Sequence, residues 1–95
     1  FDFPPAEREA AIVAREGGAD PATAHALVRL GQRLRALHDR GLAEVPSTRL
    51  LVSAARLIAG GIEARQACEA AIISPLSDDA ALREAMRDLV AASLV

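Results

Sequence analysis

Residues 46–59, Pro46-Ser47-Thr48-Arg49-Leu50-Leu51-Val52-Ser53-Ala54-Ala55-Arg56-Leu57-Ile58-Ala59, decide the fold of this 95-residue chain. They read as one helix with Ser47 as its N-cap, since a serine oxygen can accept from a first-turn N–H that has no partner inside the helix. Leu50, Leu51, Val52, Ala54, Ala55, Leu57, Ile58 and Ala59 cover most of its circumference. Only Arg49, Ser53 and Arg56 interrupt them, at spacings of four and three, as one narrow polar stripe. A helix that is apolar nearly all round is buried on most sides. The 47–59 helix is therefore expected at the centre of a helical bundle.

Arg49 is out of place within it. A helix N-terminus carries about half a positive charge, and a cation in the first turn is disfavoured by about 0.3–1 kcal/mol. Backbone N–H groups together with an arginine at that end make an anion site, and phosphate is the usual anion. The alternative is that Arg49 points to solvent or pairs with a carboxylate such as Glu44. Local physics leaves both readings open.

Working outward, each flanking segment also reads as a helix closed by a break. The first is expected over about 5–16, with Ala6, Ala10, Val13 and Ala14 inward and Gly17-Gly18 as its stop. Glu7, Glu9 and Glu16 with Arg8 and Arg15 read as its charged outer face. Asp20-Pro21 supplies an N-cap and a first-turn proline for a second helix running to about His38. Leu27, Leu30, Leu34 and Leu37 form its stripe, and Gly31 inside it points to a close helix contact. After Gly60-Gly61, a fourth helix over about 63–73 carries Ala64, Ala67, Cys68, Ala71 and Ile72 inward, and Pro75 is expected to stop it. A fifth follows Ser77, with Asp78 and Asp79 in its first turn and Leu82, Ala85, Met86, Leu89 and Val90 on one face. No segment reads as a strand, so the expected fold is an all-α bundle of about five helices.

Composition agrees. Hydrophobic residues make up 52% of the chain but aromatics only 2%, so alanine and leucine must supply the core. Ninety-five residues suffice for one small domain. The net charge of −2 argues against a nucleic-acid surface. All eleven basic residues are arginines. Without lysine there is no phosphate loop ending in G-K-[ST], no Schiff-base lysine and no Ser–Lys pair. Cys68 is the only cysteine, which excludes an intrachain disulfide and a thiolate metal cluster. No apolar stretch approaches the ~18 residues that span a bilayer. Phe1-Asp2-Phe3-Pro4-Pro5 lacks the features of a secretion signal. The expectation is a cytoplasmic piece of a longer protein.

Few residues could carry chemistry. His25 and His38 lie thirteen positions apart, about 1,300° of helical rotation, on different faces, and read as solvated with no metal role. Cys68, on an apolar face, reads as a buried inert thiol. Asp78-Asp79 is explained by capping, and no Ser–His–Asp set can be argued from spacing. The chain by itself has no catalytic centre.

A resemblance adds to this. The run Ser47-Thr48-Arg49-Leu50-Leu51 followed by Ala54-Ala55-Arg56-Leu57-Ile58-Ala59 resembles the sensor-2 region of MoxR-type AAA+ ATPases, in the flavour of the CbbQ/NirQ/NorQ group. Phe1-Asp2-Phe3-Pro4-Pro5-Ala6-Glu7-Arg8-Glu9 looks like that family's entry into its C-terminal helical lid. Ala67-Cys68-Glu69-Ala70-Ala71 and Pro75-Leu76-Ser77-Asp78-Asp79 resemble its closing helices. Ser53 departs from the pattern, since such proteins often carry an aromatic residue there.

The resemblance implies that 1–95 is the lid of an ATP-hydrolysing chaperone whose nucleotide-binding core is absent from this sequence. Arg49 matches the sensor-2 arginine that reaches the nucleotide phosphates, with Ser47 and Thr48 at the supporting helix N-terminus. Arg56, Phe1 and Phe3 are candidates for the interface with the core or a neighbouring subunit. ATP and Mg would be held mainly by the missing core. Implied partners are that core, the other subunits of a hexameric ring, a von Willebrand factor A domain protein, and a client enzyme remodelled as by Rubisco activases or nitric oxide reductase maturation factors. The rival reading is a free-standing helical adaptor that takes a partner helix in an alanine-rich groove. A helix-turn-helix DNA reader is a third, opposed by the acidic balance.

Overall fold

The helices form where the caps direct them. The computed structural model describes residues 3–37 and 45–94. Phe1, His38 and Glu44, each named above, lie outside the described residues. Helix α1 spans Ala6–Gly17, α2 Pro21–Ala36 and α3 Thr48–Ala59. Next come α4 (Ala64–Cys68), a π turn (Glu69–Ile73) and α5 (Ser74–Leu76), which are one continuous helical run. Last is α6, Ala80–Ser93. The expected bundle of five helical runs is thus present, with no strand among the described residues.

Several ends follow directly from local chemistry. Ser47 Oγ accepts from Leu50 N at 3.3 Å, as its N-cap reading required. Gly18 closes α1 in the left-handed region with φ 70°, which a residue bearing a Cβ adopts only at a cost. At the end of α3, Gly61 (φ 103°) lets Ile62 N donate back to Leu57 O at 2.9 Å and Gly61 N to Ile58 O at 3.0 Å. Those two bonds occupy carbonyls that the end of the helix leaves open.

Other ends differ from the sequence reading. Pro75 does not stop the fourth run, which continues to Leu76. Proline lacks an N–H and its ring crowds the carbonyl four residues earlier. The π turn immediately before it widens the backbone, with Ser74 N donating five residues back to Glu69 O, and so accommodates the ring. Asp78 and Asp79 precede α6 instead of lying in its first turn, because Asp79 is the N-cap, its Oδ1 accepting from Leu82 N at 2.9 Å. Ala6 is exposed, since the buried face of α1 is rotated toward Glu9, Ala10, Val13 and Gly17.

Helix α3 packs against α1, α2, α4 and the π turn, while α6 covers α2, α4 and the π turn. Leu51, Val52, Ala54 and Ala55 of α3 are buried. Leu50, Leu57 and Ile58 are only half-buried and Ala59 is exposed, so the helix is central but less enclosed than its apolarity suggested. The core joins them to Leu27, Leu30, Leu34, Cys68, Ile72, Met86 and Val90. At the surface, the Arg87 fork grips the Glu69 carboxylate at 2.9 and 3.0 Å and ties α6 to the π turn.

Small residues allow close approach. A Cβ on Gly31 would stand 3.0 Å from Leu51 Cδ1, which is the tight contact the sequence implied for that glycine. Gly17 is closer still, because a Cβ there would collide with Ala55 Cβ of α3. Alanine is the better helix former by about 1 kcal/mol, yet Gly17→Ala should destabilise the domain by about 1–3 kcal/mol through overpacking. Adding Ala55→Gly should recover part of that loss. Urea melts of the two variants and the parent check this.

Candidate functional site

The site is built around the first turn of α3. Arg49 sits one residue inside that helix and is exposed. Among the described residues it has no hydrogen bond or ion pair. Ser47, also exposed, caps the same turn. A free guanidinium therefore stands at the positive end of a helix dipole, an arrangement suited to a phosphate or another anion.

Beneath it lies a buried polar cluster that the sequence reading did not find. Glu9 of α1 is only 1% exposed. Its two carboxylate oxygens accept from Arg35 Nη1 at 2.9 Å and Nη2 at 2.6 Å, a bidentate pair joining α1 to α2. Thr48 Oγ1 donates to the same carboxylate at 2.8 Å. Arg35 Nε donates to Pro46 O at 3.1 Å, and the guanidinium lies 3.6 Å over the centroid of the Phe3 ring. The candidate interface residue Phe3 thus packs on the domain's own ion pair, where a cation over an aromatic face is favourable.

Glu9 therefore does not belong to the outward charged face that the sequence suggested for it, because its burial is balanced by Arg35 and Thr48. Burial pushes its carboxyl up, but the hydrogen bonds from Arg35 and Thr48 and the charge of Arg35 outweigh this and hold it below its ordinary 4.5. One signal was available in the sequence. Glu9 stands four residues before Val13 and eight before Gly17, on the stripe that α1 buries. Its charge hid that position, because a buried carboxylate is tolerable only with a partner, and the partner is 26 residues away.

The remaining candidates fall into structural roles. Arg56 donates Nε to Glu16 O at 3.1 Å, placing a cation at the C-terminal end of α1 where the dipole favours it. Cys68 is buried and its thiol is pushed up to about 12 by desolvation, so it stays protonated and unreactive at neutral pH. His25 is exposed and contacts Pro21 O of its own helix at 2.8 Å. No group of three metal-ligating side chains comes together among the described residues. Surface clefts of 280 Å³ beside Arg65, Glu69 and Arg87, and of 330 Å³ beside Thr23, Arg29 and Ile58, do not include Arg49. No helix among the described residues is long and apolar enough to cross a membrane.

Residues 9–93 match the family described as CbbQ/NirQ/NorQ C-terminal. The chain belongs to this family. It is 50% identical over 90 residues to the denitrification regulatory protein NirQ of Pseudomonas aeruginosa, covering 95% of this chain and 35% of that protein. It is 49% identical over 92 residues to protein NorQ of Paracoccus denitrificans, covering 97% and 34%. Protein CbbQ of Hydrogenophilus thermoluteolus is 52% identical over 87 residues, covering 92% and 33%. The chain of this CbbQ/NirQ/NorQ domain therefore spans about a third of the length of the curated relatives it matches.

The buried pair makes two checkable statements. Glu9→Gln leaves Arg35 without its counter-charge and should cost about 3 kcal/mol or more, the scale of breaking a buried ion pair from one side. Because the folded Glu9 carboxyl titrates lower than the unfolded one, its contribution is complete above about pH 4.5 and lost as pH falls below that value. Urea melts of the parent across pH 3–7 should thus weaken in acid, and the Glu9→Gln variant should show a shallower dependence over the same range.

Proposed function

We propose that this chain is the helical lid of a AAA+ ATPase and that Arg49 is its sensor-2 arginine. The carrying observation is an exposed arginine without a partner among the described residues, one position inside the N-terminus of the central helix α3. Family membership supports the reading, as does the two-thirds of each relative's length that lies outside the match, room enough for a nucleotide-binding core. The relative in Pseudomonas aeruginosa is a denitrification regulatory protein. A regulatory or activating role toward a client enzyme is consistent with that name.

In this reading the core supplies most of the contacts to ATP and Mg. The lid contributes the Arg49 guanidinium, which neutralises charge on the phosphates, and the α3 N-terminus, which Ser47 and Thr48 shape. The residues present fit a phosphate, because a planar fork of N–H donors suits its oxygens. A lid that touches phosphate through one arginine shifts its position with nucleotide state. Arg56, exposed beside the end of α1, then faces the core or the next subunit of a hexameric ring in the cytoplasm, while Phe3 braces the domain's own ion pair. The client enzyme and a von Willebrand factor A domain protein are the wider partners.

Arg49→Ala should leave the isolated domain as stable as before, or slightly more so, because it removes a cation from the wrong end of a dipole. In the full-length protein the same change should lower ATP turnover about tenfold or more, equivalent to about 1.4 kcal/mol of transition-state stabilisation. Arg49→Lys should rescue only part of it, since a point charge cannot reproduce the fork. Thermal melts of the domain and turnover assays of the full-length chain check both halves; unchanged turnover ends the sensor reading.

A further inference from the structure

A phosphate-reading arginine is useful only if the turn that carries it is held in one place. Apolar packing alone does not do this at the start of α3: Pro46 before it and Leu51 within it are buried, but Ser47 and Arg49 are exposed and Leu50 is half-buried. The polar cluster does. Pro46 and Thr48 flank the N-cap, and each is tied to the same ion pair, Pro46 by its carbonyl to Arg35 Nε and Thr48 by its hydroxyl to Glu9 Oε2. Glu9 belongs to α1 and Arg35 to α2, so the backbone immediately before Arg49 is fixed to two helices at once.

We propose that Glu9 and Arg35, acting through Thr48 and Pro46, are positioning residues that set where Arg49 stands relative to the nucleotide phosphates. This rests on the sensor reading of Arg49 given above. The physical reason is directional. Hydrogen bonds to a buried carboxylate fix angles as well as distances, and a misplacement of about 1 Å at a reacting group can cost about a hundredfold in rate. A pair serving stability alone could be replaced by apolar side chains of similar volume with little harm, because its desolvation offsets most of its attraction. A positioning pair has no apolar substitute, since the bonds to Pro46 and Thr48 would go with it.

The test uses the full-length protein and the variants Thr48→Val, Thr48→Ser, Arg35→Lys, Arg49→Ala and the double variant Thr48→Val/Arg49→Ala. Thr48→Val keeps the shape and leaves the Glu9–Arg35 pair intact, so it carries the test even if Arg35→Lys does not fold. ATP turnover and KM are measured on protein whose folding is verified by thermal melts. Thr48→Val and Arg35→Lys should each lower turnover about fivefold or more, Thr48→Ser should recover most of that loss, and the double variant should be no slower than Arg49→Ala alone. That non-additivity follows because, with the arginine gone, nothing remains to be positioned. If Arg49→Ala lowers turnover while Thr48→Val does not, or if their losses multiply, the positioning role is overturned and the sensor reading stands. If Arg49→Ala itself has no effect, the sensor reading falls and this proposal falls with it.

Discussion

A carboxylate buried to 1% exposure between two arginine N–H groups and a threonine hydroxyl is the constraint on which this domain depends. Removing a carboxylate from water costs several kcal/mol, and only a matched, fully hydrogen-bonded partner repays it. Glu9 has such a partner in Arg35, and no buried side-chain polar atom among the described residues is left without a hydrogen bond. The geometry brings α1, α2 and the start of α3 to one point. Apolar packing alone would tolerate small slides between those helices, since alanine-rich surfaces carry few features to register them. Directional bonds at one end select a single arrangement.

The rest of the bundle follows from side-chain size. With aromatics at 2% of the chain, close helix approach replaces bulk as the source of core density. Gly17 admits Ala55, and Gly31 admits Leu51, so α1 and α2 both reach α3. The wide π turn at Glu69–Ile73 lets the fourth run carry Pro75 and still bury Leu76. Close contacts at Leu51 and Ala55 and the ion pair at Thr48 hold α3 in place, with Arg49 of its first turn at the surface.

Much of this was legible in the sequence, for identifiable reasons. Glycine and proline punctuation, the Ser47 cap and the leucine stripe of α2 are local signals, and helices formed where they pointed. Gly31 foretold a contact because a glycine inside a helix is otherwise unfavourable. The failures were non-local. Glu9 and Arg35 lie on the buried stripes of their helices, yet each is charged, and burial becomes intelligible only when both are seen together. Pro75 was read by its usual effect, while the π turn that accommodates it leaves no pattern in five ordinary residues. For Arg49, local physics left open an anion site and an arginine facing solvent or a carboxylate, and its exposure does not by itself choose between them.

Belonging to the CbbQ/NirQ/NorQ C-terminal family sets this helical bundle beside proteins about three times its length. In the proposed reading the domain is a rigid mount, with Arg49 held over a nucleotide that a separate core binds. A structure of the full-length protein with a non-hydrolysable ATP analogue tests that most directly. It should show the Arg49 guanidinium about 2.7–2.9 Å from phosphate oxygens, with Glu9 still gripped by Arg35 and Thr48. An analogue bound in the core with Arg49 still in solvent would contradict the account.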